Sequence, residues 1–196
     1  VLAVLAALLV LLEPVDAWVW RHWRLDDVYG TDLGRLLRIA GFAPTWLLGA
    51  AVLMLGRWGL RRVVGWRIAF LPGIALAASV VSAGTLGEFL KLVIRRSRPS
   101  VADGLYHFAG WEPFTLNTAG FGFPSTHAVV AFAAAFALSR LAPNTGPVWL
   151  GLAVGCGLTR VLAGAHFASD VVAAAVVAYG VVSVLFARLR PPALGS

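Results

Sequence analysis

Six apolar runs divide this chain, at roughly 1–20, 40–57, 67–93, 125–141, 147–164 and 169–187, and most arginines sit in short clusters between them. Crossing about 30 Å of hydrocarbon takes about 20 helical residues, with about 17 tolerable. The last five runs meet that length. The first is cleanly apolar only as far as Glu13 and Pro14, which reads as part of a longer helix. A signal peptide is the alternative, because Val15-Asp16-Ala17 resembles a cleavage site. The expectation is an all-α, polytopic bundle of six transmembrane helices, forming one membrane-embedded domain over 1–196.

Composition agrees with a bilayer as the solvent. Hydrophobic residues make up 60% and charged residues 13%, against roughly half and about a quarter in soluble domains. The net charge of +7 raises nucleic acid as a partner, but no basic stripe is present, and nucleic acid is set aside. Most of the eight tryptophans lie near run ends, where an interfacial aromatic belt places them. Cys156 is the single cysteine, so no intrachain disulfide can form.

Charge asymmetry sets an orientation. Arg57, Arg61, Arg62, Arg67, Arg140, Arg188 and Arg190 fall on one side of the six expected spans, which the positive-inside rule makes cytoplasmic. Both termini would then be cytoplasmic. Three polar stretches, Lys91–Pro99, Pro124–His127 and Thr159–Asp170, would share the outer face of a cytoplasmic (inner) membrane. The outer loop from about Ser100 to Phe123 carries Phe108, Trp111, Phe114, Phe121 and Phe123, a composition suited to the headgroup layer. The segment from Trp18 to Arg38 reads as an amphipathic interfacial element or as a plain connecting loop.

The three stretches carry the chemistry. His166 and Asp170 are four apart and share a face if helical. A carboxylate on one ring nitrogen fixes the tautomer and sharpens the other as a nucleophile; a polar pair capping a helix start is the other reading. Lys91 and Arg98, seven apart, span about two helical turns, with Pro99 ending the helix. With Arg160 they offer three cations for a phosphoryl group. Snorkelling at helix ends is the alternative for any one of them, and Arg95 and Arg96 are read that way. Pro124, Ser125, Thr126 and His127 open the fourth run, where free amides make an anion site. There Ser125 can add a hydroxyl and His127 can protonate a leaving alcohol. A structural histidine is the competing reading.

Taken together, K-x6-R-P, P-S-T-H and T-R-x5-H-x3-D resemble the three-part signature of the type-2 phosphatidic acid phosphatase family of membrane lipid phosphatases, which shares its core with vanadium-dependent haloperoxidases. The resemblance covers about 67–187. Two positions depart from it: Thr126 stands where the family usually has glycine, and Thr159 where it has serine. The resemblance implies a metal-independent hydrolase without a cofactor. Lys91, Arg98, Arg160, Ser125 and the amide of Thr126 would bind phosphate. His166 would form a phosphohistidine, Asp170 would orient it, and His127 would be the acid. The substrate would be a lipid phosphate in the bilayer, of polyprenyl diphosphate or phosphatidate type. Lipid A dephosphorylation and lipid-to-lipid phosphotransfer are alternatives within the family, and a non-catalytic lipid transporter is the remoter one.

Overall fold

The computed structural model describes residues 2–112 and 116–189; Phe114 and Arg190, named above, lie outside the described residues. The helices are α1 (Leu2–Trp23), α2 (Asp32–Ile39), α3 (Ala43–Gly56), α4 (Arg61–Val64), α5 (Trp66–Ile94), α6 (Thr126–Leu141), α7 (Gly146–Leu162) and α8 (Ala168–Leu189). The fold is all-α. The only strand-like features among the described residues are two isolated bridges, Arg96 with Phe108 and Ser97 with Phe121.

Six transmembrane helices are not what the chain builds. Among the described residues, three segments are long and apolar enough to cross a membrane: Trp66–Ile94, Pro143–Leu162 and Ala168–Leu189. A fourth is reached only if α2 and α3, bent by 65° at their junction, count as one span. Run one lies in α1, whose Asp16 is buried inside the protein. Runs two and four fall short for separate reasons. Run two is a helix of 14 residues that turns sharply from an amphipathic partner. Run four is α6, whose 16 residues extend only about 24 Å at 1.5 Å per residue.

Burial explains α6. Its alanine-rich sequence is enclosed by α5, α7 and α8, with Ala128 to Ala135 and Ala137 buried. Small side chains let neighbouring backbones approach, so apolarity here serves helix packing rather than contact with lipid. A similar close approach brings α7 against α8: a Cβ at Gly157 would stand 2.5 Å from Val171 Cγ1.

Element order then places the polar stretches. α5 and α7 end, and α6 and α8 begin, at one end of the bundle. The opposite end receives the tail of α3, α4, the start of α5 and the ends of α6 and α8, with Arg57, Arg61, Arg62, Arg67, Arg140 and Arg188. Val15-Asp16-Ala17 lies within the continuous helix α1. Beyond it, α2 is capped by Thr31, whose Oγ1 accepts from Gly34 N–H at 3.1 Å, and α2 packs on α7.

Candidate active site

The first stretch departs from the expected helix. α5 stops at Ile94, where Arg95 takes a left-handed conformation (φ 54°) and donates its N–H to Lys91 O at 2.9 Å. Lys91 is therefore helical and Arg98 is not; the two do not share a helix face two turns apart. Residues 96–98 run extended, and residues 95–98 are pinned by the outer loop. Ser97 N–H donates to His107 O (2.8 Å), Ala109 N–H to Arg95 O (3.0 Å), Arg98 N–H to Gly120 O (3.2 Å) and Gly122 N–H to Arg96 O (2.7 Å). That loop is more than a headgroup-layer surface: Phe121 is buried, while Phe108 and Trp111 are exposed.

His166 sits in the link between α7 and α8 and is buried. Its Nδ1 lies 2.9 Å from Gly122 O and 3.5 Å from Asp170 Oδ2. A carbonyl can only accept, so Nδ1 carries the hydrogen and Nε2 keeps its lone pair. Nε2 is 3.4 Å from Arg98 Nη1. Burial, with Arg160 and Arg98 close by, lowers the imidazole to about 4 against the pull of Asp170. The ring is therefore neutral near pH 7, the state a nucleophile needs. Asp170 also accepts Phe167 N–H at 2.8 Å, so it caps the start of α8 as well as facing His166. Gly122 leaves room for this approach: a Cβ there would stand 3.1 Å from Asp170 Oδ2, a tight contact.

Arg98 and Arg160 lie close to His166, and Lys91 lies close to Arg98. Arg98 donates through Nε to Ala119 O (2.8 Å) and through Nη1 to Ala165 O (3.2 Å). Burial and then Arg160 push its guanidinium below its ordinary value. Lys91 is close enough to Arg98 for the two to repel. Arg160 donates from Nη1 to Tyr29 OH at 2.8 Å. Its Nε, like Ser125 Oγ, is buried without a hydrogen-bond partner. Ser125 precedes the first turn of α6 and makes no side-chain cap. A buried donor left unpaired costs free energy, and these two fit an anion among three cations.

His127 is half-buried on the first turn of α6, within electrostatic reach of Arg160, His166, Arg38 and Lys91. Its ring has no hydrogen-bond partner among the described residues. The bend between α2 and α3 supports it, since a Cβ at Gly41 would lie 2.7 Å from His127 Cβ and 2.9 Å from Cys156 Sγ. The Thr159 hydroxyl is spent on Cys156 O (2.8 Å).

Four contributors escaped the sequence reading. Arg96 and Arg95 do not snorkel; both are buried, and Arg96 pairs with Asp170. Glu88 holds Lys91 Nζ at 3.0 Å and accepts from the hydroxyls of Thr126 and Thr118. It lies one helical turn before Lys91, a spacing that could have flagged it. Tyr29 has no sequence signal beyond its place in the polar segment after α1. Among the described residues no group of three His, Cys, Asp or Glu converges as a metal site would need.

The chain shows 36% identity over 159 residues to a lipid A 1-phosphatase of Rhizobium johnstonii, covering 72% of this chain and 60% of that protein. Its identity to the lipid A 1-phosphatase of Rhizobium etli is 35% over 158 residues, covering 72% and 64%. It also shows 38% identity over 72 residues to the bacitracin transport permease protein BcrC of Bacillus licheniformis, 37% of this chain and 34% of that one. The chain thus spans about three fifths of the two Rhizobium proteins. No solved structure gives a significant match. Residues 72–191 match the PAP2 superfamily, a stretch that takes in all three polar motifs, and the chain belongs to that family.

Proposed function

We propose that this membrane protein removes phosphate from a bilayer lipid through a phosphohistidine on His166, with a lipid A-type phosphate as the leading substrate. The observation that carries the substrate class is the similarity to two lipid A 1-phosphatases across most of this chain. The chemistry rests on a neutral His166 with its Nε2 lone pair beside Arg98.

In the first step Nε2 of His166 attacks phosphorus and the bond from phosphorus to the lipid oxygen breaks. Burial and the nearby cations push His127 down to about 4; the phosphate anion, once bound, offsets those cations, and the ring that it lets protonate gives its proton to that oxygen. Lys91, Arg98 and Arg160, with Ser125 and the amide of Thr126, hold the three phosphoryl oxygens as charge moves onto them. In the second step His127, now neutral, takes a proton from water. The resulting hydroxide attacks phosphorus, the P–N bond breaks and inorganic phosphate leaves. The three cations fill the role a magnesium ion plays elsewhere. A phosphotransferase would share the first step and replace water by a second lipid.

The arginine-rich end opposite the site supports an outward-facing site in a cytoplasmic membrane; a reporter fused beyond α8 that reads external would overturn that orientation. The test of function is phosphate release by the purified protein from lipid A, phosphatidate and a polyprenyl diphosphate, with and without chelator. The expected result is release unaffected by chelator, with the highest kcat/KM on lipid A. Preference for another lipid would overturn the substrate, and absence of turnover on all three the function.

A further inference from the structure

Arg96 has no exposed surface, and neither does Asp170. A guanidinium shut away from water and headgroups is costly unless its charge is met. Here Nη2 donates to Asp170 Oδ1 and, at 2.8 Å, to Ser169 Oγ. The rings of Tyr106, Phe123 and Phe167 lie 4.4, 4.6 and 5.1 Å from Arg96 Cζ, a setting in which a cation is attracted to the ring faces.

The network continues away from the phosphate cluster. Ser169 Oγ donates to Asp16 Oδ2 on α1, and Ser169 N–H donates to Asp16 Oδ1 at 3.1 Å. Tyr106 OH donates to the same Oδ2. Burial and that bond push the Tyr106 hydroxyl above its ordinary value, so it stays a donor. Arg96 thus lies between two buried carboxylates, one met directly and one through Ser169. Asp170 divides its oxygens accordingly: Oδ1 faces Arg96, while Oδ2 accepts Phe167 N–H and faces His166 Nδ1.

We propose that Arg96 is a positioning residue for the His166–Asp170 pair. It holds Asp170 as a carboxylate with Oδ2 turned to His166, and Asp16 of the first helix braces it through Ser169. Oδ2 is then fixed where positive charge grows on the ring as the P–N bond forms, and the ring's hydrogen stays on Nδ1. The proposal rests on His166 being the nucleophile.

A merely structural Arg96 would lower folding stability and phosphate binding together. A positioning Arg96 lowers turnover and moves the acid limb of the rate profile. Without its charge, the full charge of Asp170 acts on His166 and makes the ring easier to protonate, so the limb shifts to higher pH. The other charges facing the pair stay in place: Arg160 from α7, Arg98 from the link after α5, Lys91 from α5, Asp16 from α1 and His127 from α6.

The experiment measures kcat, KM and the pH profile on an aryl phosphate, and vanadate binding by calorimetry, for wild type, Arg96→Met, Arg96→Lys and His166→Ala. For Arg96→Met the expected loss is about 10- to 100-fold in kcat, the scale of one charged hydrogen bond. KM and vanadate affinity should stay within about twofold if phosphate contacts are untouched. Arg96→Lys keeps the charge but loses the planar guanidinium that lies over Tyr106, Phe123 and Phe167. It should recover the wild-type acid limb and only part of kcat, and it carries the test if Arg96→Met does not fold. Wild-type kcat in either variant, or a parallel loss of kcat and vanadate affinity, would overturn the proposal. A His166→Ala protein that still turns over would instead overturn the nucleophile assignment beneath it.

Discussion

The two ends of the bundle use arginine in opposite ways. At the end that gathers the three motifs, Arg95, Arg96 and Arg160 are buried and Arg98 half-buried; Arg96 meets a carboxylate, Arg98 carbonyls and His166, Arg160 a phenol, and Arg95 lies over the rings of Trp111 and Phe121. At the other end Arg62, Arg67 and Arg188 are exposed. Arg61 lies over the Trp58 ring at 3.9 Å while bonding Trp58 O, and Arg57 donates to Ala69 O at 2.9 Å. The Arg61 contacts stay within its own segment, and Arg57 reaches only from the end of α3 to the start of α5. Residue type is common to both ends, and burial separates them. An arginine removed from solvent marks chemistry or the frame that holds it; one left at the surface marks an interface.

Substitutions can break or sharpen this contrast. The largest expected effect at the buried end, short of losing the nucleophile, is at His127. An alkoxide leaving group needs a proton, so His127→Ala should slow cleavage of alkyl phosphate lipids by about 10²–10⁴-fold. An aryl phosphate, whose leaving group is a weak base, should be spared most of that loss. Equal losses on both substrates would make His127 a phosphate ligand rather than an acid. Next comes Arg160→Lys, which removes a planar donor from the phosphate cluster. Vanadate inhibition should weaken by about 10- to 100-fold, measured as Ki, and an unchanged Ki would take Arg160 out of the cradle.

A pH profile gives a subtler test. Burial holds His166 at about 4, below its ordinary value, so the ring is neutral from there upward. On an aryl phosphate, which needs little from His127, kcat/KM should hold down to about pH 5 and fall as the pH drops through about 4, when the lone pair is protonated. An acid limb near the ordinary histidine value of about 6.5 would mean that the site is wetter than its geometry. The smallest effect is expected at the opposite end: Arg61→Gln should change turnover by less than about twofold, the usual reach of a surface change. A large loss there would erase the contrast between the ends.

The sequence made the all-α fold and the gathering of the motifs legible, because hydropathy marks runs and alternating runs return to the same end. It overstated the number of spans for a physical reason. An apolar helix enclosed by other helices and one facing lipid have the same composition, and α6 is the enclosed kind. Helix length was misjudged at Arg95, whose left-handed backbone no composition announces, so Lys91 and Arg98 meet across a chain reversal rather than along a helix. Arg96 stayed hidden for a related reason. In an R-R-S-R-P cluster nothing distinguishes the arginine that faces Asp170 from its neighbours until the outer loop folds over it. Asp16 was hidden more deeply, since its partner Ser169 lies at the far end of the chain.

The central claim is that His166 becomes covalently phosphorylated. The direct test is rapid quenching of the His127→Ala protein with an aryl phosphate, followed by mass analysis of the peptide that contains His166 under conditions that preserve phosphoramidates. Loss of His127 as the base should slow water attack and let the intermediate accumulate. The expected result is an acid-labile phosphate on His166, absent from the His166→Ala protein. Turnover with phosphate on another residue, or with none on the enzyme at any time, would contradict the account.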